Sequence, residues 1–199
     1  MVANRTSIAN GALLANGQET LGSLEDNTPT AVKIRAIFDL VLLELQTQDW
    51  YFNRTRIELT RLEAAPDFGN WLYQYNLPGD LTNIIALVDE VSDIPKYAFE
   101  REGAKILTNR ETVFLKYNQL IEDVGLMPPW FVNLMEAKLA YKLAPKLQKD
   151  ENKLKRIKED LIDAWDEARS GNGQDAFFAD EFGDTNGNTD AAIGMRDND

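Results

Sequence analysis

Apolar residues repeat at helical spacing in the first part of the chain. From residue 29 to residue 47 they recur at steps of three and four, the spacing of one face of an amphipathic helix. Thr28 is a suitable N-cap, and Pro29 suits the first helical position. A shorter helix is predicted over residues 6 to 16, ended by Gly17. Two N-terminal helices are therefore expected.

Helical spacing returns near the C-terminus. Pro128 and Pro129 are a start signal for a helix that runs to residue 147, and Pro145 is expected to kink or end it. A last helix is predicted over residues 151 to 169, with one apolar face and one charged face. Two C-terminal helices are therefore expected.

Between residues 50 and 118 the apolar spacing is two, which is typical of strands. Turn residues separate six short runs: WYFNRTRIEL, NWLYQYNL, TNIIALVDEV, KYAFEREG, AKILTN and TVFLKY. Antiparallel hairpins are predicted, the clearest with a turn centred on Glu102 and Gly103. The predicted fold class is α+β, with a small antiparallel bundle of two N-terminal and two C-terminal helices and an inserted β-hairpin region.

Three aromatic residues stand together where the second helix has to stop. Trp50, Tyr51 and Phe52 cannot share one helix face, because successive side chains are about 100° apart. A strand that starts at Trp50 would place Trp50 and Phe52 on one face and Tyr51 on the other. We interpret the cluster as a helix-to-strand corner with two buried rings and one at a rim. The alternative is a stacking platform for a ligand.

The last thirty residues differ in composition from the rest. Residues 170 to 199 contain six Asp and one Glu against one Arg, together with five Gly. Such a segment cannot bury enough apolar surface to offset the entropy of ordering, so the predicted organisation is a domain over residues 1 to 169 and a flexible acidic tail over residues 170 to 199. Phe177, Phe178 and Phe182 suit a tail that folds on a partner; the alternative is an unstructured terminus.

Overall composition limits the chemistry that the chain can perform. There are 21 basic and 33 acidic residues, for a net charge of −12. This charge argues against a surface that binds the phosphate backbone of a nucleic acid. Cysteine and histidine are absent, so disulfides, thiolate chemistry and nearly all zinc sites are excluded. No glycine-rich phosphate loop occurs, and no apolar run is long enough to span a membrane. We expect a soluble protein, made in a cytoplasm, without a cofactor.

Two groups of acidic residues are candidates for functional sites. The run DTNGNTD lacks the glycine and the glutamate that a calcium loop requires. Glu100, Glu102 and Glu111 could supply the acid and the base of glycoside hydrolysis, but exposed turn acids paired with nearby Arg or Lys are far commoner. The sequence therefore predicts neither a metal site nor a catalytic residue.

Several motifs occur in an order that is similar to one known family. They are ALLANGQETLGSL, a helix that ends in DWYFN, Leu77 and Pro78 with Asp80, YAFEREGAKILTN, VFLKYNQLIED, PPWF at a helix start, and a charged last helix. This order resembles the tail tubular protein A family, the head-to-tail adaptors of short-tailed bacteriophages. The resemblance covers about residues 6 to 169.

The resemblance implies a structural virion protein at the head–tail junction. About twelve copies would form a ring that joins the portal protein to the tail tube or nozzle, and DNA would pass through the ring without specific binding. The helices and the C-terminal segment would contact the portal, with Phe177, Phe178 and Phe182 as hypothetical portal-binding residues. The β region would face the tail, with Arg101, Glu102 and Gly103 at the tip of its hairpin.

Two other functional classes remain open at this stage. A head-completion or stopper protein of a long-tailed phage would share the ring but contact a different tail. A carboxylate-based glycan hydrolase would use the acids of the hairpin region.

Overall fold

The computed structural model describes residues 3–67, 69–90 and 97–183, and only the backbone over 178–183. These residues form four α-helices and two three-stranded antiparallel sheets, which confirms the predicted α+β class. The helices are α1 (Arg5–Ala15), α2 (Pro29–Gln46), α3 (Pro129–Leu147) and α4 (Glu151–Gly183). The strands are β1 (Arg54–Glu58), β2 (Tyr73–Asn76), β3 (Leu81–Val88), β4 (Glu100–Glu102), β5 (Lys105–Thr108) and β6 (Phe114–Gln119).

Local signals in the sequence define where the first three helices begin or end. Gly17, with φ of 68°, follows the end of α1. The side chain of Thr28 accepts a hydrogen bond from the backbone N–H of Ala31, and Pro29 is the first residue of α2. Pro145 lies in the last turn of α3, which ends two residues later. The predictions for these ends are confirmed.

The last helix is longer than the sequence predicts. A flexible tail was predicted from residue 170, but α4 continues to Gly183, so that prediction is wrong for residues 170–183. The tail was predicted from the composition of residues 170 to 199, which include five glycines, yet glycine inside a helix costs only about 1 kcal/mol relative to alanine. At Gly171 a Cβ would lie 2.5 Å from Cδ1 of Trp130, so the missing side chain allows the helix to approach that ring. Residues 184–199, with the run DTNGNTD, lie outside the described residues.

The two sheets combine strands that are distant in sequence. In the first, β6 lies between β1 and β3; in the second, β5 lies between β2 and β4. Within the described strands, β4 and β5 form the single sequential hairpin, with Glu102 opposite Lys105. Its turn consists of Gly103, with φ of 58°, and Ala104, one residue later than predicted. The hairpin predicted around Gly103 is thus confirmed, whereas β1 and β3 form no hairpin with a neighbouring strand and both pair with β6 across long loops.

Buried residues form two separate cores. The helical core takes residues from all four helices and from Trp50, and α3 packs against α1, α2 and α4. The sheet core consists of Leu59, Tyr75, Leu87, Ile106, Val113, Leu115 and Tyr117. The stretch from Trp50 to Arg54 therefore joins the helical core to the sheet region. Within the described part of the chain, none of the helices has the length and apolar character needed to cross a membrane.

Candidate interaction surfaces and the corner between the two cores

The corner contains a cluster of packed aromatic rings. Trp50 is 3% exposed, and its ring lies 5.9 Å from Trp165 in a stacked arrangement and 5.4 Å from Trp130. Phe52 is partly buried and packs 4.8 Å from Phe131. Offset and edge-to-face pairs of this kind stabilise a core beyond the area they bury. Trp50 and Phe52 thus face the helical core.

The backbone at this corner is not the predicted strand. Tyr51–Asn53 form a turn of 3₁₀-helix, and β1 begins only at Arg54. The prediction of a strand from Trp50 is wrong, because the tight turn lets both Trp50 and Phe52 reach rings contributed by α3. Those rings lie about eighty residues further along the chain, so local spacing does not reveal them.

Tyr51 is held on the outer side of the corner. The guanidinium carbon of Arg54 lies 3.7 Å from the centre of the Tyr51 ring, and Arg54 also forms a two-pronged ion pair with Asp49 at 2.6 and 2.8 Å. The backbone N–H of Tyr51 donates to Oδ1 of Asn172 at 2.7 Å. Residues of α4 that were assigned to a tail therefore fix the corner in place.

Buried amide side chains connect the corner to the end of β6. Asn118 Nδ2 donates to Oδ1 of Asn53 at 2.7 Å and to the carbonyl of Trp50 at 2.9 Å. Gln46, in the last turn of α2, exchanges two hydrogen bonds of 2.8 Å with the backbone of Ile121. These three amide residues are almost completely buried, and each has hydrogen-bond partners, as buried polar groups require. Sequence reasoning missed this junction, since an isolated Asn or Gln gives no signal of burial.

The tip of the β4–β5 hairpin is exposed. Arg101, Glu102 and Gly103 are all solvent-accessible, and Arg101 Nε donates to the carbonyl of Gly103 at 3.1 Å. This geometry presents charged side chains on a short, tight turn at the edge of the second sheet.

Two of the three acids considered for glycan hydrolysis are engaged by other side chains. Glu100 accepts a hydrogen bond from the indole of Trp71 at 2.8 Å, and Glu111 pairs with Arg61 at 3.0 Å. Glu102 is exposed at the hairpin turn. Among the described residues there is also no cluster of acids able to hold a metal ion. The two engaged acids serve structural contacts.

The phenylalanines proposed to bind a portal lie on the distal part of α4. The side chain of Phe177 is 59% exposed. Phe178 and Phe182 belong to the stretch of α4 for which only the backbone is described. These positions are helical before any partner binds, in contrast to the predicted flexible strap.

One helix carries apolar side chains on two faces. The inward face of α2 is buried in the helical core through residues such as Phe38 and Val41. On the outward face, Val32, Leu40 and Leu43 are 48, 67 and 46% exposed. Their spacing of eight and three residues places them along one stripe. A stripe of large exposed apolar residues is typical of an interaction surface.

A shallow acidic groove runs along the junction of α3 and α4. Its volume is about 330 Å³. Four alanines line its floor, namely Ala15, Ala137, Ala140 and Ala164. Carboxylates on its walls come from Glu136, Asp160, Asp163 and Glu167. Sequence reasoning missed this groove, since the spacing predicts a charged face on the last helix but does not show which helix lies beside it.

Comparison with known proteins adds no family assignment. The sequence matches no protein-family model, and no curated protein is significantly similar to it.

Proposed function

We propose that the chain is a structural virion protein, one copy of a ring that joins the portal to the tail nozzle and surrounds the DNA channel. The order of motifs from ALLANGQETLGSL to PPWF supports the proposal, because it resembles that of short-tailed phage adaptors. The ring would retain the genome and guide its ejection. Its location would be the head–tail junction of the particle, after synthesis in the host cytoplasm.

The observation that carries the proposal is the apolar stripe on the outside of α2. Val32, Leu40 and Leu43 are exposed on a helix whose other face is already buried in the core. Single exposed apolar residues are normal, but a continuous stripe favours coverage by another protein. A ring supplies such coverage, because each subunit contacts its two neighbours through different patches.

We propose an orientation of the subunit in which each core faces a different partner. In the proposed arrangement the four helices form an antiparallel bundle that faces the portal, and the inserted sheets face the tail. Arg101, Glu102 and Gly103 would then contact the nozzle at the exposed hairpin tip. The excess of acidic residues suits a channel wall, because a negative wall repels DNA and lets it slide. We propose about twelve copies and no enzymatic activity.

The proposal is tested by binding of the chain to the portal protein encoded in the same genome. The wild-type chain is expected to co-purify with assembled portal rings. Serine substitutions at Phe177, Phe178 and Phe182 should weaken attachment and leave thermal unfolding of the isolated chain nearly unchanged. Leu72→Ser is a control, since Leu72 is as exposed as Phe177, at 61 and 59%, but lies beside the sheets.

Two results would contradict parts of the proposal. Portal affinity that survives the three serine substitutions removes the phenylalanines from the contact. A wild-type chain that does not bind the portal at all contradicts the adaptor role. Binding to portal and to a long-tailed phage stopper complex would instead support a head-completion protein.

A further inference from the structure

A groove with an apolar interior lies where the end of α3 meets the start of α4. Its volume is about 490 Å³. Ala144 is buried at its floor, and Leu154 is partly buried beside it. Tyr141 and Pro145 of α3 also line the groove, and both are exposed. Exposed apolar side chains around a concave site are typical of a surface that another segment of protein covers. We call this site the apolar groove.

Three lysines surround the apolar groove, namely Lys142 of α3 and Lys155 and Lys158 of α4. Lys142 lies 3.0 Å from Glu44, and Lys155 lies 3.8 Å from Glu159 in a pair that is exposed on both sides. Exposed pairs of this kind contribute little to stability. Among the described residues, Lys158 has no ion-pair partner. The cationic rim therefore suits a segment in which acids flank apolar residues.

The chain itself contains a segment of this chemistry. Residues 184–199 include four Asp and one Arg, for a net charge of −3. Ile193 and Met195 are their two large apolar residues. One Asp lies three residues before Ile193, and another lies two residues after Met195. Apolar side chains at the centre and carboxylates on both sides match the interior and the rim of the apolar groove.

The length of this segment argues against binding within one molecule. At about 1.5 Å per residue, Leu154 lies about 43 Å from Gly183 along α4. The ten residues from Gly183 to Ile193 span at most about 33–36 Å when fully extended. The segment would also run back along residues 159–183, which include eight acidic residues and one Arg and would repel it. A second copy supplies the segment without either restriction.

We propose that residues 184–199 of one copy bind the apolar groove of a neighbouring copy. This inference rests on the proposed function, since it names a contact that joins the subunits of the ring. Ile193 and Met195 would lie against Leu154, and the flanking aspartates would meet the lysines of the rim. Each copy then offers a segment and a groove on different surfaces, and such head-to-tail contacts close into rings.

Disulfide trapping tests this contact on the full chain, which has no cysteine of its own. Lys158→Cys places a thiol at the groove, and Gly194→Cys places one between Ile193 and Met195. The two variants, mixed under mild oxidation, should form linked pairs, because binding raises the local concentration of the thiols. Leu72→Cys is the control, since Leu72 is 61% exposed beside the sheets. Mixed with Gly194→Cys, it should link at least about tenfold more slowly.

A chain that carries both Lys158→Cys and Gly194→Cys distinguishes the two sources of the segment. Binding between copies predicts disulfide-linked multimers. Linked monomers as the main product would show that a chain fills its own groove, and would overturn this inference. Linkage of Gly194→Cys to Leu72→Cys as fast as to Lys158→Cys would also overturn it.

Sedimentation of the full chain at rising concentration tests the apolar part of the contact. The wild type should associate. Ile193→Ser with Met195→Ser should lower the association constant at least about tenfold, because two apolar side chains no longer leave water on binding. Ala191→Ser with Ala192→Ser is a control in the same segment and should have a smaller effect, since alanine buries less apolar surface.

The lysine rim is tested by a charge reversal with a matched control. Lys155→Glu with Lys158→Glu should lower the association constant at least about tenfold, because acids would then face acids. Lys149→Glu with Arg156→Glu changes the net charge equally at exposed residues that do not line the groove. This control should leave the association constant within about twofold of the wild-type value.

Three results of the sedimentation and portal-binding measurements would overturn the inference. The first is a wild-type chain that stays monomeric at every concentration. The second is self-association that survives both the serine substitutions in the segment and the lysine reversal. The third is a lysine reversal that weakens portal binding and leaves self-association unchanged, which would assign the groove to the portal. Portal binding by the wild-type chain tests the adaptor role separately, so the two failures are distinguishable.

Discussion

The helical region and the sheet region differ in how much core each possesses. The helical core draws on four helices and a cluster of packed aromatic rings, whereas the sheet core has seven buried residues in a region of two small sheets. Small sheets with little buried surface are marginal by themselves. We infer that the sheets depend on contacts with the helical region for their stability. The residues of the corner provide these contacts.

The corner serves both regions through different interactions. On the helical side Trp50 contributes apolar burial, and on the sheet side Asn53 and Asn118 contribute buried hydrogen bonds. Because apolar burial and hydrogen bonds respond differently to substitution, each side of the corner can be weakened separately.

The largest expected effect comes from the helical side. Trp50→Ala removes a buried ring that contacts Trp130, Phe131 and Trp165, and should destabilise the chain by about 3–5 kcal/mol in urea unfolding. Tyr51→Ala is the neighbouring control and should cost much less, since Tyr51 lies at the outer side of the corner. Equal costs for the two substitutions would show that Trp50 is not the anchor.

A smaller effect is expected from the sheet side. Asn118→Ala leaves Oδ1 of Asn53 and the carbonyl of Trp50 without their buried donor, and should cost about 2–3 kcal/mol. Hydrogen exchange should show loss of protection mainly in β1, β3 and β6, with the helices retained. Uniform loss of protection in helices and sheets would contradict the separation of the two regions.

The two glycines of α4 give a matched pair. Gly171→Ala should destabilise by about 1–3 kcal/mol, because the new methyl group would clash with the Trp130 ring. Gly173→Ala meets open space and should stabilise by about 0.5–1 kcal/mol through helix propensity. Thermal unfolding distinguishes the two. A stabilising effect of Gly171→Ala would contradict the close approach of α4 to the Trp130 ring.

The smallest effect concerns the sheet core at alkaline pH. Tyr117 donates a hydrogen bond to Asp80, and burial, with the Asp80 charge, raises the pKa of Tyr117 to about 12. A raised pKa contributes stability below the unfolded value of about 10 that is lost as pH rises to about 12. Tyr117→Phe should therefore flatten the fall in stability between pH 10 and 12. An unchanged pH profile would exclude Tyr117 as the titrating group.

The sequence predicted those parts of the fold that depend on neighbouring residues. Thr28, Pro29 and Gly17 act within one helical turn, and Gly103 acts within one hairpin, so their roles are visible locally. The α+β class follows from the change of apolar spacing after residue 50.

Features that depend on distant partners could not be predicted in this way. The turn at Trp50 forms because α3 supplies rings from far along the chain, and β6 pairs with strands that precede it by long loops. The continuation of α4 did leave a signal. Gly171 lies three residues after Ala168, on the same helical stripe as Ile157, Leu161 and Ala164. The glycine-rich, acidic composition after residue 170 favours a flexible tail, and the prediction followed that composition and not the spacing of the apolar stripe.

We propose that this chain is one subunit of a ring between portal and tail. Electron cryomicroscopy of the phage particle, reconstructed without imposed capsid symmetry, shows whether the chain occupies that position. We predict a ring of density beneath the portal into which the helical region fits toward the capsid and the sheets toward the tail. The claim would be contradicted if the chain fitted density elsewhere in the particle, or if that position were occupied by another protein.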